Sequence, residues 1–576
     1  MTVRATVPGD AQVRWTSVLG AGLEARQWLR ARLLDDEAWW RANTARIQVR
    51  QLRGLLRRAR QTEFGREHGF SGLLREGDDR LVQAYRRAVP IRDWHGFSDR
   101  IARMREGGEH SVLWPGLVRD FAQTSGTTAG DKYIPVSESM FRSNYRASLD
   151  IFAHLMRRGV ELSRLLGGKS LFLGGSSDVA ENEVGVRTGD LSGLVTPLIR
   201  WPLTEAYLPG REIALMDHWP SKIDAMAARC LDEDVRMVSG MASWSLVLFE
   251  RVLELARERG LDVSCVREVW PNLELFVHGG VRYDPFMPRV NEVVFGDAGI
   301  DFAQRLELYP ASEGFVAMQD RPGQRGLRLM ADIGLFFEFV PIENAHQQDP
   351  PSFSCWEVDK GQRYVVVLST CAGLWRYQLG DVVEFDTVCG GLGATGGEGP
   401  ARLRIVGRHR HFINAFGENL IVEHIETAVS EAAERCGVRI GEFTAAPVYP
   451  GQGTRAGLEL AVEIERIESD GRDAGEMFER FGQAFDASLQ RQNVDYTTKR
   501  TEGLGMVSPT ITPLEPGAFH AWLESLGKLG GQHKCPRCAN HREIIEGVVG
   551  SGRPFIADAP VGRHRDGSPS PVGGAR

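Results

Sequence analysis

Leu273-Glu-Leu-Phe-Val-His278, followed at once by Gly279-Gly280, is the stretch on which the fold turns. Apolar residues bounded by a glycine pair read as a buried strand that ends where backbone must pass close to backbone. The same grammar recurs: Lys169-Ser-Leu-Phe-Leu173 runs into Gly174-Gly175, and Leu306-Glu-Leu-Tyr309 runs into Pro310-Ala-Ser-Glu-Gly314. An apolar helix is expected over 246–258, and further strands over 333–341, 364–370 and 382–385, the last preceded by a turn at Trp375-Arg-Tyr-Gln-Leu-Gly-Asp381. Strand ends that alternate with helices predict an α/β fold of layered sheets and helices, with functional groups gathered at the strand ends.

Outward from this region the character changes twice. Residues 1–25 carry little pattern, whereas 35–65 reads as a helix with Leu52, Leu55, Leu56 and Ala59 on one face, closed by Gly65. Beyond the glycine-rich loop 389–400, 402–406 reads as a strand and Gly407-Arg408 as a pivot. A helix from Val422, an alternating strand through Leu458, Leu460, Val462 and Ile464, and an amphipathic helix through Met477, Phe478, Phe481 and Phe485 form a smaller α/β unit. The expected division is a helical lead-in over 1–44, a large domain over 45–407, a small mobile domain over 408–548, and a disordered tail over 549–576.

A chain of 576 residues exceeds one compact core, consistent with that division. Its net charge of −7 gives no argument for nucleic acid or an anionic membrane as partner, and neither is expected. No apolar run reaches membrane-spanning length and the N-terminus lacks a signal-type apolar core, so the expectation is a soluble, cytoplasmic protein. Nothing in the sequence sets an oligomeric state; a monomer is expected. The eight cysteines include one Cys535-Pro-Arg-Cys538 pair, too few ligands for a zinc site. His278, at the end of its strand, reads as a structural histidine.

Chemistry concentrates at three turns. Thr124-Ser-Gly-Thr-Thr-Ala-Gly-Asp-Lys132 combines hydroxyls, glycines and a lysine, which suits a backbone that folds around phosphate. Glu313, in Tyr309-Pro-Ala-Ser-Glu-Gly314, is a hard oxygen donor of the kind Mg²⁺ takes together with phosphate. Asp381, in Tyr377-Gln-Leu-Gly-Asp381, can accept hydrogen bonds from ribose hydroxyls. Meeting at one sheet edge, the three suit nucleotide activation.

In this order and spacing the turns resemble the adenylate-forming superfamily of acyl-CoA ligases and luciferases. They resemble more closely the plant auxin-responsive acyl-acid amido synthetases and their bacterial homologues. Val89-Pro-Ile91, Gly189-Asp-Leu-Ser-Gly193, Trp270-Pro-Asn-Leu273 and Gly530-Gly-Gln-His-Lys-Cys-Pro-Arg537 extend the likeness over about residues 45–545. The resemblance implies an ATP- and Mg²⁺-dependent ligase that adenylates a carboxylic acid and passes the acyl group to an amine, usually of an amino acid. It implies phosphate binding by Ser125, Gly126, Thr127, Thr128 and Lys132, a nucleotide site lined by Tyr309 and Ser312, Mg²⁺ on Glu313, and ribose on Asp381. Arg408 would sit at the hinge of the small domain, and Lys534, with Lys499 as runner-up, would be the mobile lysine that approaches the adenylate. Pro310 and Gln378 depart from the family pattern, the first stiffening its turn and the second removing a positive charge near the ribose-phosphate. A thiol acceptor, or a nucleotide-binding protein without catalysis, are the competing readings. Acyl-site residues are expected from 174–182, Tyr207, 241–248 and 327–339, with Trp244, Phe336 and Phe337 favouring an apolar acid if they do not simply belong to the core.

Overall fold

The computed structural model describes residues 15–555, apart from 125–131, 175–178, 196–202, 217, 282, 285, 346, 394–395, 409–411, 414, 417, 419, 452–454, 468–473, 504, 527–534 and the side chains of 15, 203, 408, 412 and 474. The fold is mixed α/β, with a large sheet-and-helix region followed by a smaller C-terminal α/β sheet.

A four-stranded sheet takes β1 (Asp120–Thr124), β2 (Lys132–Val136), β4 (Ala180–Glu181) and β5 (Arg187–Gly189) in the order β2-β1-β5-β4. The principal sheet has twelve strands: β3 (Lys169–Phe172), β6 (Tyr207–Leu208), β7 (Val235–Gly240), β8 (Leu275–Gly279), β9 (Gln304–Ala311), β10 (Gly314–Met318), β11 (Leu327–Leu329), β12 (Phe336–Pro341), β13 (Phe353–Ser354), β14 (Arg363–Ser369), β15 (Tyr377–Thr387) and β16 (Arg402–Arg408). Their order is β13-β12-β14-β15-β16-β11-β10-β9-β8-β7-β3-β6. The run β6-β3-β7-β8-β9 is parallel, and every pairing from β9 to β13 is antiparallel. Parallel strands covered by helices bury both faces. In β8, Leu275 and Val277 enter one core cluster and Phe276 another, which is why its sequence is apolar almost without interruption.

Helix Glu37–Ala59 buries Leu52, Leu55, Leu56 and Ala59, the face read from the sequence, and the Asp36 side chain caps it by accepting from the Trp39 N–H at 2.8 Å. It stops at Ala59 rather than Gly65. Gly65 instead lies inside the short helix Glu63–Glu67, where a Cβ would overlap the Ala59 carbonyl. The described part of the stretch that looked patternless, 15–25, belongs to helix Trp15–Asp35. Arg30 fastens it, donating to Asp150 at 2.5 Å and to Asp332 at 2.7 Å.

The C-terminal unit begins with the short hairpin β17 (Phe412–Ile413) and β18 (Leu420–Ile421), then helix Val422–Cys436. Its sheet orders β19 (Val438–Val448), β20 (Gly457–Ile467) and β21 (Thr510–Leu514), with helices Val422–Cys436 and Ala474–Gln492 packed together. The tail was expected to be disordered from residue 549. Helix Glu543–Ser551 spans that point, and Phe555 donates its N–H to the Pro513 carbonyl and packs on Phe478. The unit rests on the large region: the ring of Phe286 meets those of Phe416 and Tyr449 edge-on, both at 5.7 Å. No helix among the described residues is long and apolar enough to cross a membrane.

Candidate active site

The carboxyl ends of the parallel strands lie side by side. Leu173 N–H donates to Ser239 O at 2.8 Å, Gly240 pairs with His278, and Gly279 pairs with Leu308. The close approach there requires glycine: a Cβ on Gly279 would stand 2.5 Å from the Leu308 carbonyl oxygen and 3.2 Å from Pro310 Cδ. Between β3 and β7 the chain direction across the sheet reverses, since β3 leads outward to β6 and the chain then returns to β7. Such a switch point opens a crevice outside the strand ends, where α/β folds place their ligands.

Beyond the crevice β9 continues past β8 through Tyr309 and Pro310. Pro310, which has no N–H to donate, lies two residues past the last β8–β9 pair. Ala311 pairs with Gly314, so Ser312 and Glu313 form a two-residue hairpin tip. Gly314 has φ 152°, and a Cβ there would press on Leu335 Cδ1 at 2.8 Å. On β10 the register slips between Phe315 and Ala317, leaving Val316 as a bulge opposite Tyr309 and Pro310.

Asp381 reaches the same place from β15. The stretch expected to be a turn is part of that strand: Gln378 pairs with Val367 and Val382 with Val365, so Leu379-Gly380-Asp381 bulges out opposite Val366 alone. Gly380, at φ 93°, takes the left-handed backbone this needs. The Tyr309 hydroxyl donates to Asp381 Oδ2 at 2.5 Å, and both residues are buried. Arg408, the last residue of β16, pairs with Asp381 across the ladder.

Arg376 holds the root of this bulge. Its backbone sits at φ 48°, a conformation that costs a residue with a side chain about 1–2 kcal/mol. Its guanidinium compensates by donating to Glu338 at 3.1 Å, to Ser352 at 2.7 Å, and to the Val89 and Arg86 carbonyls at 2.6 and 2.9 Å. The Val89-Pro-Ile91 segment is thereby tied to β15, and Gln378 N–H donates to the Arg92 carbonyl at 2.8 Å.

The structure thus brings Tyr309, Asp381 and the backbone of Arg408 together, with Ser312 and Glu313 at the adjoining tip. Lys132 opens β2 directly opposite Thr124, and the expected phosphate loop lies between these two residues in sequence. Ser125, Gly126, Thr127, Thr128 and Lys534 lie outside the described residues, as does the side chain of Arg408. Lys499 is described, and it is buried against the ring of Trp244. Phe336 and Phe337 are fully buried and Phe336 packs on Tyr85, which places them in the core.

Two charged residues, one at the crevice and one at the root of the β15 bulge, were not singled out by the sequence. Lys222, almost fully buried, donates to the Ala214 carbonyl at 2.8 Å and the Gly174 carbonyl at 3.3 Å; burial pulls its ammonium down to about 8, opposed by the charge of Asp190. Arg376 is the second. His278 is buried and held neutral, its imidazole pushed down to about 3 by burial and by the neighbouring Arg305. It stacks on Tyr283 at 4.4 Å, as a structural histidine would.

Among the described residues no group of three or more His, Cys, Asp or Glu could cage a metal ion. A single carboxylate on a hairpin tip suits Mg²⁺ that brings phosphate and water as its other ligands. Glu313 meets that requirement, and the buried, hydroxyl-anchored Asp381 carboxylate is an acceptor set suited to ribose.

Residues 40–197 and 178–298 match the GH3 family N-terminal domain, 328–392 the GH3 family central domain, and 423–543 the GH3 family C-terminal domain. The chain is 22% identical over 570 residues to the probable indole-3-acetic acid-amido synthetase GH3.1 of Arabidopsis thaliana, covering 88% of this chain and 90% of that one. It is 22% identical over 557 residues to the jasmonoyl–L-amino acid synthetase JAR6 of Nicotiana attenuata, covering 86% and 91%. The solved structure of the AtGH3.15 acyl acid amido synthetase in complex with 2,4-DB superposes with a TM-score of 0.53 at 17% identity, over 95% of this chain and 98% of that one. A 2-hydroxyisobutyryl-CoA ligase shares the fold with a TM-score of 0.50 at 14% identity, over 88% and 91%. With the N-terminal, central and C-terminal domains matched in that order along one chain, the protein belongs to the GH3 family.

Proposed function

We propose that this chain is a soluble, cytoplasmic, ATP-dependent acyl-acid amido synthetase that acts as a monomer. A carboxylate oxygen of the acid attacks the α-phosphorus of ATP, the bond to pyrophosphate breaks, and an acyl-adenylate forms. The amine of an amino acid then attacks the acyl carbon and AMP leaves with the bonding electrons. The observation that carries this reading is the Tyr309–Asp381 contact beside the Glu313 tip, next to the carboxyl ends of the parallel strands. The named activities of the relatives support the amine as acceptor.

In this reading Asp381 accepts from the ribose hydroxyls, Tyr309 fixes the carboxylate that does so, and Tyr309 and Ser312 line the nucleotide. Glu313 would hold Mg²⁺, which when bound neutralises charge on the phosphates. Ser125, Gly126, Thr127, Thr128 and Lys132 grip the phosphates from the segment that joins β1 to β2 in sequence. Residues 45–407 form the domain that binds ATP and the acid, preceded by the lead-in 1–44. The C-terminal unit, from 408 through the packed Phe555, turns about Arg408 between the two half-reactions and delivers Lys534 to the adenylate.

Acid-dependent exchange of labelled pyrophosphate into ATP tests this, across aromatic, indole, fatty and hydroxy acids. Exchange that requires both an acid and Mg²⁺, and that Glu313→Ala abolishes, is the expected result. Amide product from amino acids, with none from CoA thiol, completes it. A folded protein that binds ATP and exchanges with no acid in a broad panel would overturn the assignment.

A further inference from the structure

Two buried tryptophans stack beside the crevice. Trp219 opens helix Trp219–Cys230, Trp244 lies in the first turn of helix Ala242–Glu258, and their rings are nearly parallel, 3.9 Å apart at 15°. A lysine lies over each: Lys222 Nζ is 4.9 Å from the centre of the Trp219 ring, and Lys499 Nζ is 5.6 Å from that of Trp244. Lys499 comes from helix Val494–Arg500 of the C-terminal unit. The next segment of that unit also fits around Trp244, since a Cβ on Gly505 would stand 3.2 Å from Trp244 Cη2. The line Lys499, Trp244, Trp219, Lys222 therefore runs from the C-terminal unit to the crevice. There Lys222 holds the Gly174 carbonyl, just past the end of β3.

Packing alone does not call for these residue types. All four are buried, and a buried ammonium carries a desolvation cost that leucine or methionine would avoid. The depressed titration of Lys222 is a sign of that cost. The Trp244 indole N–H has no partner among the described residues, so the ring is not there for its polar edge. What tryptophan offers over phenylalanine here is the ring face that attracts a cation most strongly. Burial pushes the nearby Glu418 carboxyl up, opposed by its acceptance from the Phe416 and Ala415 N–H groups at 2.6 and 3.1 Å and by the charge of Lys499.

We propose that Lys499 and Lys222 are positioning residues: through the Trp244–Trp219 stack, the docked C-terminal unit sets the carboxyl end of β3, and with it the acid-binding side of the crevice. Their effect on catalysis rests on the amido synthetase reading; the coupling itself does not. In an enzyme whose small unit swings, Lys499 must leave Trp244 with each movement, so the acid side of the crevice is tightened only in the docked arrangement. Lys499 is then a docking residue rather than the lysine that meets the adenylate.

Amide hydrogen exchange followed by mass spectrometry on full-length Lys499→Met and Lys499→Arg tests the coupling without any substrate. Lys499→Met is expected to raise exchange at least fivefold at 171–174 and 214–222, in the large region, as well as around 494–500. Lys499→Arg, which keeps a cation over the ring, is expected to restore protection at 171–174. Faster exchange confined to 494–506, or no difference between the Met and Arg variants, would overturn the proposal. In the exchange assay, Lys222→Met is expected to raise the KM for the acid about tenfold while the KM for ATP stays within twofold. Equal changes in both would mark a merely structural lesion and also overturn it. If the wild type activates no acid, the amido synthetase reading fails while the hydrogen-exchange result still decides the coupling.

Discussion

Replacing Tyr309 by phenylalanine removes one oxygen from the centre of the proposed nucleotide site and changes little else. The hydroxyl donates to Asp381 Oδ2 at 2.5 Å, and the two residues are only 5% and 8% exposed. A hydrogen bond to a charged acceptor contributes about 1.5–3 kcal/mol. The slight exposure of Asp381 lets water replace part of it, so about 1.5 kcal/mol is the expected loss. If that energy fixes the carboxylate that reads ribose, it appears as a roughly tenfold higher KM for ATP in pyrophosphate exchange. A cycle with 2′- and 3′-deoxy-ATP isolates the contact. The wild type should discriminate against a missing hydroxyl, Tyr309→Phe should discriminate less, and Asp381→Ala should not discriminate at all. A KM for ATP within twofold of wild type in Tyr309→Phe, or ribose discrimination that survives in Asp381→Ala, would refute the reasoning.

Three further outcomes follow from the geometry. Glu338→Ala strands the buried Arg376 guanidinium without its carboxylate and should cost about 3–5 kcal/mol in denaturant unfolding; a loss under about 1 kcal/mol would show that Arg376 is held by Ser352 and its carbonyl partners without the carboxylate. Gly380→Ala meets no atom within 4 Å, so its whole cost comes from φ 93°. That cost is about 1–2 kcal/mol, with Gly380→Asn milder and the KM for ATP following the same order. His278 binds its proton more weakly when folded, near 3, than when unfolded, near 6.5, so stability falls as pH drops through that window. Between pH 7 and 4.5 the wild type should lose about 2.5 kcal/mol that His278→Gln does not lose, and parallel curves for the two proteins would dismiss the assignment.

The strands of the parallel half were legible because burial on both faces leaves a nearly unbroken apolar run, and because Gly279 is required by the Leu308 carbonyl beside it. The Glu313 tip was legible for a different reason: a tight connection between strands demands polar and glycine residues. Leu379-Gly380-Asp381 was misread as a turn because Gly-Asp is turn chemistry wherever it occurs. Only the neighbouring strand shows that those three residues bulge within β15. Helix Trp15–Asp35 escaped notice because its buried face mixes Thr16 and Gln27 with Ala31 and Leu34, and because the partners of Arg30, Asp150 and Asp332, are remote in sequence. Lys222 was invisible because an isolated lysine in an ordinary helix reads as solvated, and nothing local announces that the crevice closes over it.

The Tyr309–Asp381 contact also explains why the sheet is built as it is. Between β9 and β15 lie β10, β11 and β16, four strand spacings in all. In a flat sheet that is roughly 19 Å, more than the two side chains can span. The sheet must therefore curl until strands four places apart face each other. Curvature of this kind comes from bulges. They occur where the contact needs them: at Val316 on β10, at Leu379–Asp381 on β15, and between Val382 and Val383 where β15 meets β16. The proposed ribose site is thus a consequence of sheet curvature as much as of motif. A sequence can retain Tyr309 and Asp381 and still lose the site, if Gly380 or Gly314 is exchanged for a residue that flattens its strand.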